Sequence, residues 1–75
     1  MKTTLDLLGS GCSGVICSLH SEGMQRRRLL DLGFIPGERV RVLHHSPWGN
    51  PIAYGIRGTV IALRKADAKL IQILL

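Results

Sequence analysis

The sequence predicts a mainly β fold: a small antiparallel barrel of about five short strands, with one short helix between the first and second strands. Three observations carry that prediction. Apolar residues recur with period two in several short segments, as in strands with one buried face. A single segment, Ser21 to Leu32, changes to helical spacing and stops at a glycine. The chain has only 75 residues, and closing a sheet on itself is the natural way for so short a protein to hide strand edges.

The elements follow in order. A turn-rich opening, Leu7-Leu8-Gly9-Ser10-Gly11, leads into a segment in which Val15, Cys17 and Leu19 alternate as in a half-buried strand. Ser21 is the predicted helix N-cap, its hydroxyl accepting from a first-turn amide. Met24, Leu29, Leu30 and Leu32 form a wide apolar helix face. Gly33 falls where a left-handed residue closes the last turn, and Phe34 folds back onto Leu29. Ile35-Pro36-Gly37-Glu38 predicts a type II turn, because proline presets the first central angle and glycine takes the positive second one.

Val40 and Val42 then alternate with Arg39 and Arg41 in a strand running on to His44 and His45. Ser46 to Pro51 has loop composition, and Ile52, Tyr54 and Ile56 resume the alternation. Gly55 and Gly58 mark close backbone approach or a sharp bend. Thr59 to Leu63 predicts a short strand, Arg64 to Ala68 a helical turn, and Leu70 to Leu74 a closing strand. No linker or internal repeat interrupts the chain, so residues 1–75 are expected to form one domain.

Composition narrows the function. Apolar residues make up 45% of the chain, a foldable proportion, yet the chain is too short to hold both a core and a deep substrate cleft. Ten Lys and Arg against five Asp and Glu give a net charge of +5, which invites nucleic acid, an acidic protein or an anionic membrane surface as partner. Phe34, Trp48 and Tyr54 are the only aromatics, too few for a base-stacking platform, so nucleic acid is not expected. Two cysteines cannot staple a secreted scaffold, and no apolar leader or membrane span is present, which predicts a reduced, cytoplasmic protein.

Catalytic signatures are absent: there is no phosphate-binding glycine loop, nucleophile elbow or zinc-hydrolase helix, and the carboxylates are scattered. No catalytic residue and no cofactor is therefore expected. Cys12, Cys17, His20, His44 and His45 are suitable metal ligands by type. Their spacing is wrong, however, because adjacent strand residues such as His44 and His45 point to opposite faces. No metal site is expected; His44, His45 and Cys17 are the residues to examine for one, and Cys17 is otherwise read as core. Trp48, in a loop, is either an interface anchor or a cap lying over the barrel end.

The run Arg28-Leu29-Leu30-Asp31-Leu32-Gly33-Phe34-Ile35-Pro36-Gly37 resembles the signature of the FeoA family, small cytoplasmic proteins of bacterial ferrous iron uptake. The likeness continues through Val40 and Val42, then Gly49-Asn50-Pro51-Ile52, then Gly58 to Ala62-Leu63-Arg64, and covers most of the chain from Gly14 onward. It implies an SH3-like barrel with an added helix. It also implies a non-enzymatic accessory or regulatory role exerted through FeoB, the membrane transporter with a cytoplasmic GTP-binding domain. No iron site or catalytic residue comes with the resemblance.

Most of the residues that carry the likeness have a structural explanation. Gly33, Pro36 and Gly37 meet backbone demands, and Leu29, Leu32 and Ala62 suit a core; Arg28, Gly49, Pro51 and Arg64 complete the pattern. The expected docking surface is Ile35, Arg39, Arg41 and Trp48, with membrane contact only through the transporter and a homodimer left open. Two rival functions are a basic barrel binding single-stranded nucleic acid and a metal-binding sensor or chaperone.

Overall fold

In a computed structural model covering Met1–Leu75, the alternating segments become strands. These are β1 (Lys2–Thr4), β2 (Ser13–Leu19), β3 (Arg39–His45), β4 (Ile52–Ile56), β5 (Thr59–Leu63) and β6 (Ile71–Leu74). A 3-10 turn spans Leu5–Leu7, α1 spans Gly23–Leu32, and α2 spans Lys65–Ala68. The strands form one antiparallel six-stranded sheet in the order β1-β6-β2-β3-β4-β5. The predicted class holds, with one strand more than expected. The additional strand is β1, whose Lys2-Thr3-Thr4 carries no apolar alternation and is held by pairing with β6, Lys2 opposite Leu74. The amide of Leu75 also donates to the carbonyl of Met1 at 2.9 Å.

Backbone pairing does not complete the expected closure. β1 and β5 end the sheet, and each keeps a free edge. Both are short, at 3 and 5 residues, which limits the unpaired backbone they present.

Ile52, Tyr54 and Ile56 of β4 are buried, as are Val40 and Val42 of β3. They meet Leu5, Ile16, Phe34, Ile71 and Ile73 in a single core. Phe34 and Tyr54 stand edge to face with ring centroids 6.5 Å apart, a geometry worth about 1 kcal/mol beyond area burial. Burial, and secondarily the Asp6 carboxylate, push the Tyr54 phenol above its ordinary range. Its hydroxyl has no protein hydrogen-bond partner.

The alternation in β2 shifts phase. Ile16 faces Ile73 and Ser18 faces Gln72, so Cys17 is the unpaired residue of a β-bulge. The inward positions are consequently Gly14, Ile16 and Leu19, while Val15 and Cys17 are half-buried. Cys17 is thus not core. A second irregularity leaves Leu43 unpaired between Val42 and His44.

The two ends of α1 differ. The N-cap is Glu22, not Ser21, and it makes no side-chain capping bond. Ser21 is buried with its hydroxyl unpartnered, which keeps it from reaching the first-turn amides. The C-terminal end is tightly made. Gly33, at φ 109°, donates to Leu30 O, and Phe34 N–H donates to Leu29 O, each at 3.0 Å, the two crossed bonds of a Schellman cap. The type II turn follows as predicted, with Glu38 N–H donating to Ile35 O at 2.9 Å and Gly37 at φ 96°. The turn is also stitched to β2, since Gly37 N–H donates to Ile16 O at 2.8 Å and Ile16 N–H to Glu38 O at 2.9 Å. No helix is long and apolar enough to cross a membrane.

Candidate functional site: an open groove between α1 and β5

Of the residues expected on the apolar face of α1, only Leu29 is buried and Leu30 half-buried. Met24 is 87% exposed and Leu32 36%. The helix is held at its ends. Near its start, Gln25 donates from its amide nitrogen to the carboxylate of Asp67 in α2. At its far end, Gly33 lies against the hairpin turn between β4 and β5, where an added Cβ would sit 3.4 Å from Arg57 Cδ. α1 therefore runs antiparallel to β5 and spans its length. Between the two lies an open groove.

Met24, Arg28, Leu29 and Leu32 line the groove from α1, and Ala62, Leu63 and Arg64 from β5 and the residue after it; Pro51 also lines it. Leu63 forms part of the floor and Ala62 is exposed. The placement of Ala62 and Leu32 corrects the expectation that both are core. In β5 the buried Leu63 directs its neighbour Ala62 to the other face, a consequence of the two-residue period that the sequence already contains. Arg28, Leu29, Leu32, Pro51, Ala62 and Arg64, scattered along the chain and prominent in the resemblance, thus line one surface. Gly33, Pro36 and Gly37 stay in their backbone roles.

The charges of the groove are unevenly satisfied. Arg27 pairs with Asp31 at 3.3 Å, one helical turn on, and Asp67 is engaged by Gln25. Arg28 and Arg64 are exposed and have no ion-pair partner. An apolar floor and wall flanked by two unpaired guanidinium groups suits a partner segment that is apolar and acidic.

The residues expected to dock fall elsewhere. Ile35 is 36% exposed, beside the turn that feeds β3, and Arg39 and Arg41 project from β3. Trp48 is 91% exposed in the loop beyond the other end of β3, so it does not lie over the barrel as a cap. The length of β3, about 20 Å, separates it from Ile35. On the outer face the exposed Leu43 and Val60 add apolar surface, for which local composition carries no signal.

Of the ligand types, Cys12, His20 and His44 are exposed, and Cys17 and His45 are half-buried. His20 lies 3.3 Å from Ser18 Oγ through its ring nitrogen. No three His, Cys, Asp or Glu side chains come together as a metal-holding group.

Comparison with known proteins gives a consistent picture. The family model described as the FeoA domain matches residues 3–74. A fusion protein of Fe(2+) transport protein A and the Fe(2+) transporter FeoB from Porphyromonas gingivalis (strain ATCC BAA-308 / W83) is 32% identical over 69 residues. That match takes in 92% of this chain but only 8% of the relative's length. The solution structure of the FeoA protein from Chlorobium tepidum is 32% identical, with TM-score 0.89, covering 95% of this chain and 68% of that one. The crystal structure of Stenotrophomonas maltophilia FeoA complexed with zinc is 34% identical, with TM-score 0.84, covering 96% and 89%. That protein is described as an SH3-domain protein and a candidate activating factor for ferrous iron transport.

Proposed function

This chain belongs to the FeoA family, and on that premise we propose that it is a non-enzymatic, cytoplasmic accessory protein of bacterial ferrous iron uptake that docks on a FeoB-like membrane transporter. The relative that joins a FeoA unit to FeoB in one polypeptide supports the association, since fusion keeps the two parts at high local concentration. The observation that carries the choice of surface is the groove. Arg28, Leu32, Ala62 and Arg64 line it although neither core packing nor turn geometry calls for them there. Docking places Leu32 and the apolar floor against partner side chains and pairs Arg28 and Arg64 with carboxylates.

A second surface competes because Trp48 is 91% exposed, an unusual state for a large aromatic side chain. It would use Trp48 with Ile35, Arg39 and Arg41. Co-purification of the full-length transporter in detergent separates the two. The double variant Arg28→Glu with Arg64→Glu is expected to lose the complex, and Trp48→Ala with Arg41→Ala to retain it. The opposite pattern moves docking to the β3 surface, and retention by both pairs removes both surfaces.

A further inference from the structure

The occupant of the groove can be specified from the backbone of β5. Arg57 and Gly58, at φ 52° and 77°, form a two-residue turn with both central angles positive, which is the type I′ hairpin connection. In such a hairpin the flanking residues, Ile56 and Thr59, exchange hydrogen bonds, and bonded pairs then alternate along the ladder. Thr59, Ile61 and Leu63 therefore direct N–H and C=O toward β4. Val60 and Ala62 direct theirs away from it, to the free edge of the sheet. Val60 is 67% exposed and Ala62 is also exposed, and Ala62 lines the groove.

We infer that the partner segment binds as an added strand on β5: an extended, proline-poor stretch whose apolar side chains meet Leu32 and Met24 and whose carboxylates meet Arg28 and Arg64. This rests on the groove as the docking surface and adds the chemistry and conformation of what enters it. The backbone of Val60 and Ala62 supplies the main-chain bonds that give such a strand its affinity. The side chains of α1 select what it carries. Charge favours this occupant, because the carboxylates of the groove are already engaged while both arginines are free.

Amide hydrogen exchange of the isotopically labelled chain, free and with excess full-length FeoB-like transporter, tests the inference. The Val60 and Ala62 amides are expected to exchange fast in the free protein and at least about tenfold more slowly in the complex. Those of Thr59, Ile61 and Leu63, already bonded to β4, are expected to change little. Ala62→Pro removes the outward donor while leaving the β4 ladder intact, since proline is tolerated on an edge strand whose N–H faces solvent. It is expected to weaken binding about tenfold, the loss of one main-chain bond and of close approach. A complex that is lost in Arg28→Glu with Arg64→Glu yet leaves the Val60 and Ala62 rates unchanged overturns the added strand and keeps the groove. Absence of any complex overturns both.

Discussion

Replacing Tyr54 by phenylalanine tests the energetics of the core directly. The Tyr54 ring is fully buried and stacks edge to face on Phe34, contacts that the substitution retains. Only the hydroxyl goes, and it has no protein partner. A buried polar group without a partner costs about 1–3 kcal/mol, whereas deleting the oxygen leaves a void too small to offset more than part of that gain. Tyr54→Phe is therefore expected to leave stability unchanged or to raise it by about 1 kcal/mol at neutral pH. Urea unfolding should be followed by far-UV circular dichroism, because Trp48, being exposed, is a poor reporter of packing.

The same variant has a pH signature. The folded state holds the Tyr54 phenol protonated to higher pH than the unfolded chain does, through burial first and the Asp6 carboxylate second. Above the usual phenol value of about 10 the unfolded state thus releases a proton that the folded state keeps, so stability falls as pH rises, by at most about 1.4 kcal/mol per pH unit. Below that value the contribution is fully present. Wild type is expected to lose stability faster than Tyr54→Phe on going above pH 10, every other titrating group being common to both. A loss of more than about 1 kcal/mol at neutral pH on making Tyr54→Phe would mean that the buried hydroxyl is hydrogen-bonded after all, and parallel pH curves for the two proteins would mean that folding does not hold its proton.

Two further substitutions probe the backbone. Gly33→Ala forces a Cβ into the left-handed region at φ 109° and is expected to cost about 1–2 kcal/mol, seen as a lower urea midpoint at unchanged slope. Gly14→Ala places a Cβ 3.0 Å from Leu74 O and 3.1 Å from Ile73 Cδ1, so β6 must shift. It is expected to cost about 1–3 kcal/mol and to speed exchange at the β2–β6 ladder, and a neutral Gly14→Ala would mean that β6 yields freely.

Local chemistry makes some elements legible in the amino-acid sequence alone. The Gly33 cap, the Pro36-Gly37 turn and the buried alternation of Ile52, Tyr54 and Ile56 depend on neighbours in sequence, and each stands where the residues place it. β1 is not legible in this way, because Lys2-Thr3-Thr4 is a strand only by virtue of β6, at the opposite end of the chain. The bulge at Cys17 is hidden for a related reason: it exists in the register between β2 and β6, and it reverses the face that simple alternation assigns to Val15 and Cys17.

The candidate site is legible residue by residue but not as a site. Leu32 and Ala62 read as core because aliphatic side chains in a small protein usually are. Ala62 is open because alternation along β5 turns it away from the buried Leu63, and Leu32 because α1, tied at Gln25 and Gly33 and buried through Leu29, leaves it on the groove side. Ser21 likewise has the right chemistry for a cap and the wrong surroundings, buried where its hydroxyl cannot turn to the helix.

The meeting of β1 with β6 has a consequence for how evolution can use the unit. Lys2 lies opposite Leu74 and Met1 bonds Leu75, so the polypeptide enters and leaves through one corner. A longer polypeptide can carry the unit at either terminus, or inserted as a bulge in a loop of another domain, with no strand needing to be re-threaded. Tether length, rather than any rearrangement within the barrel, then governs how far the binding surface can travel from its point of attachment.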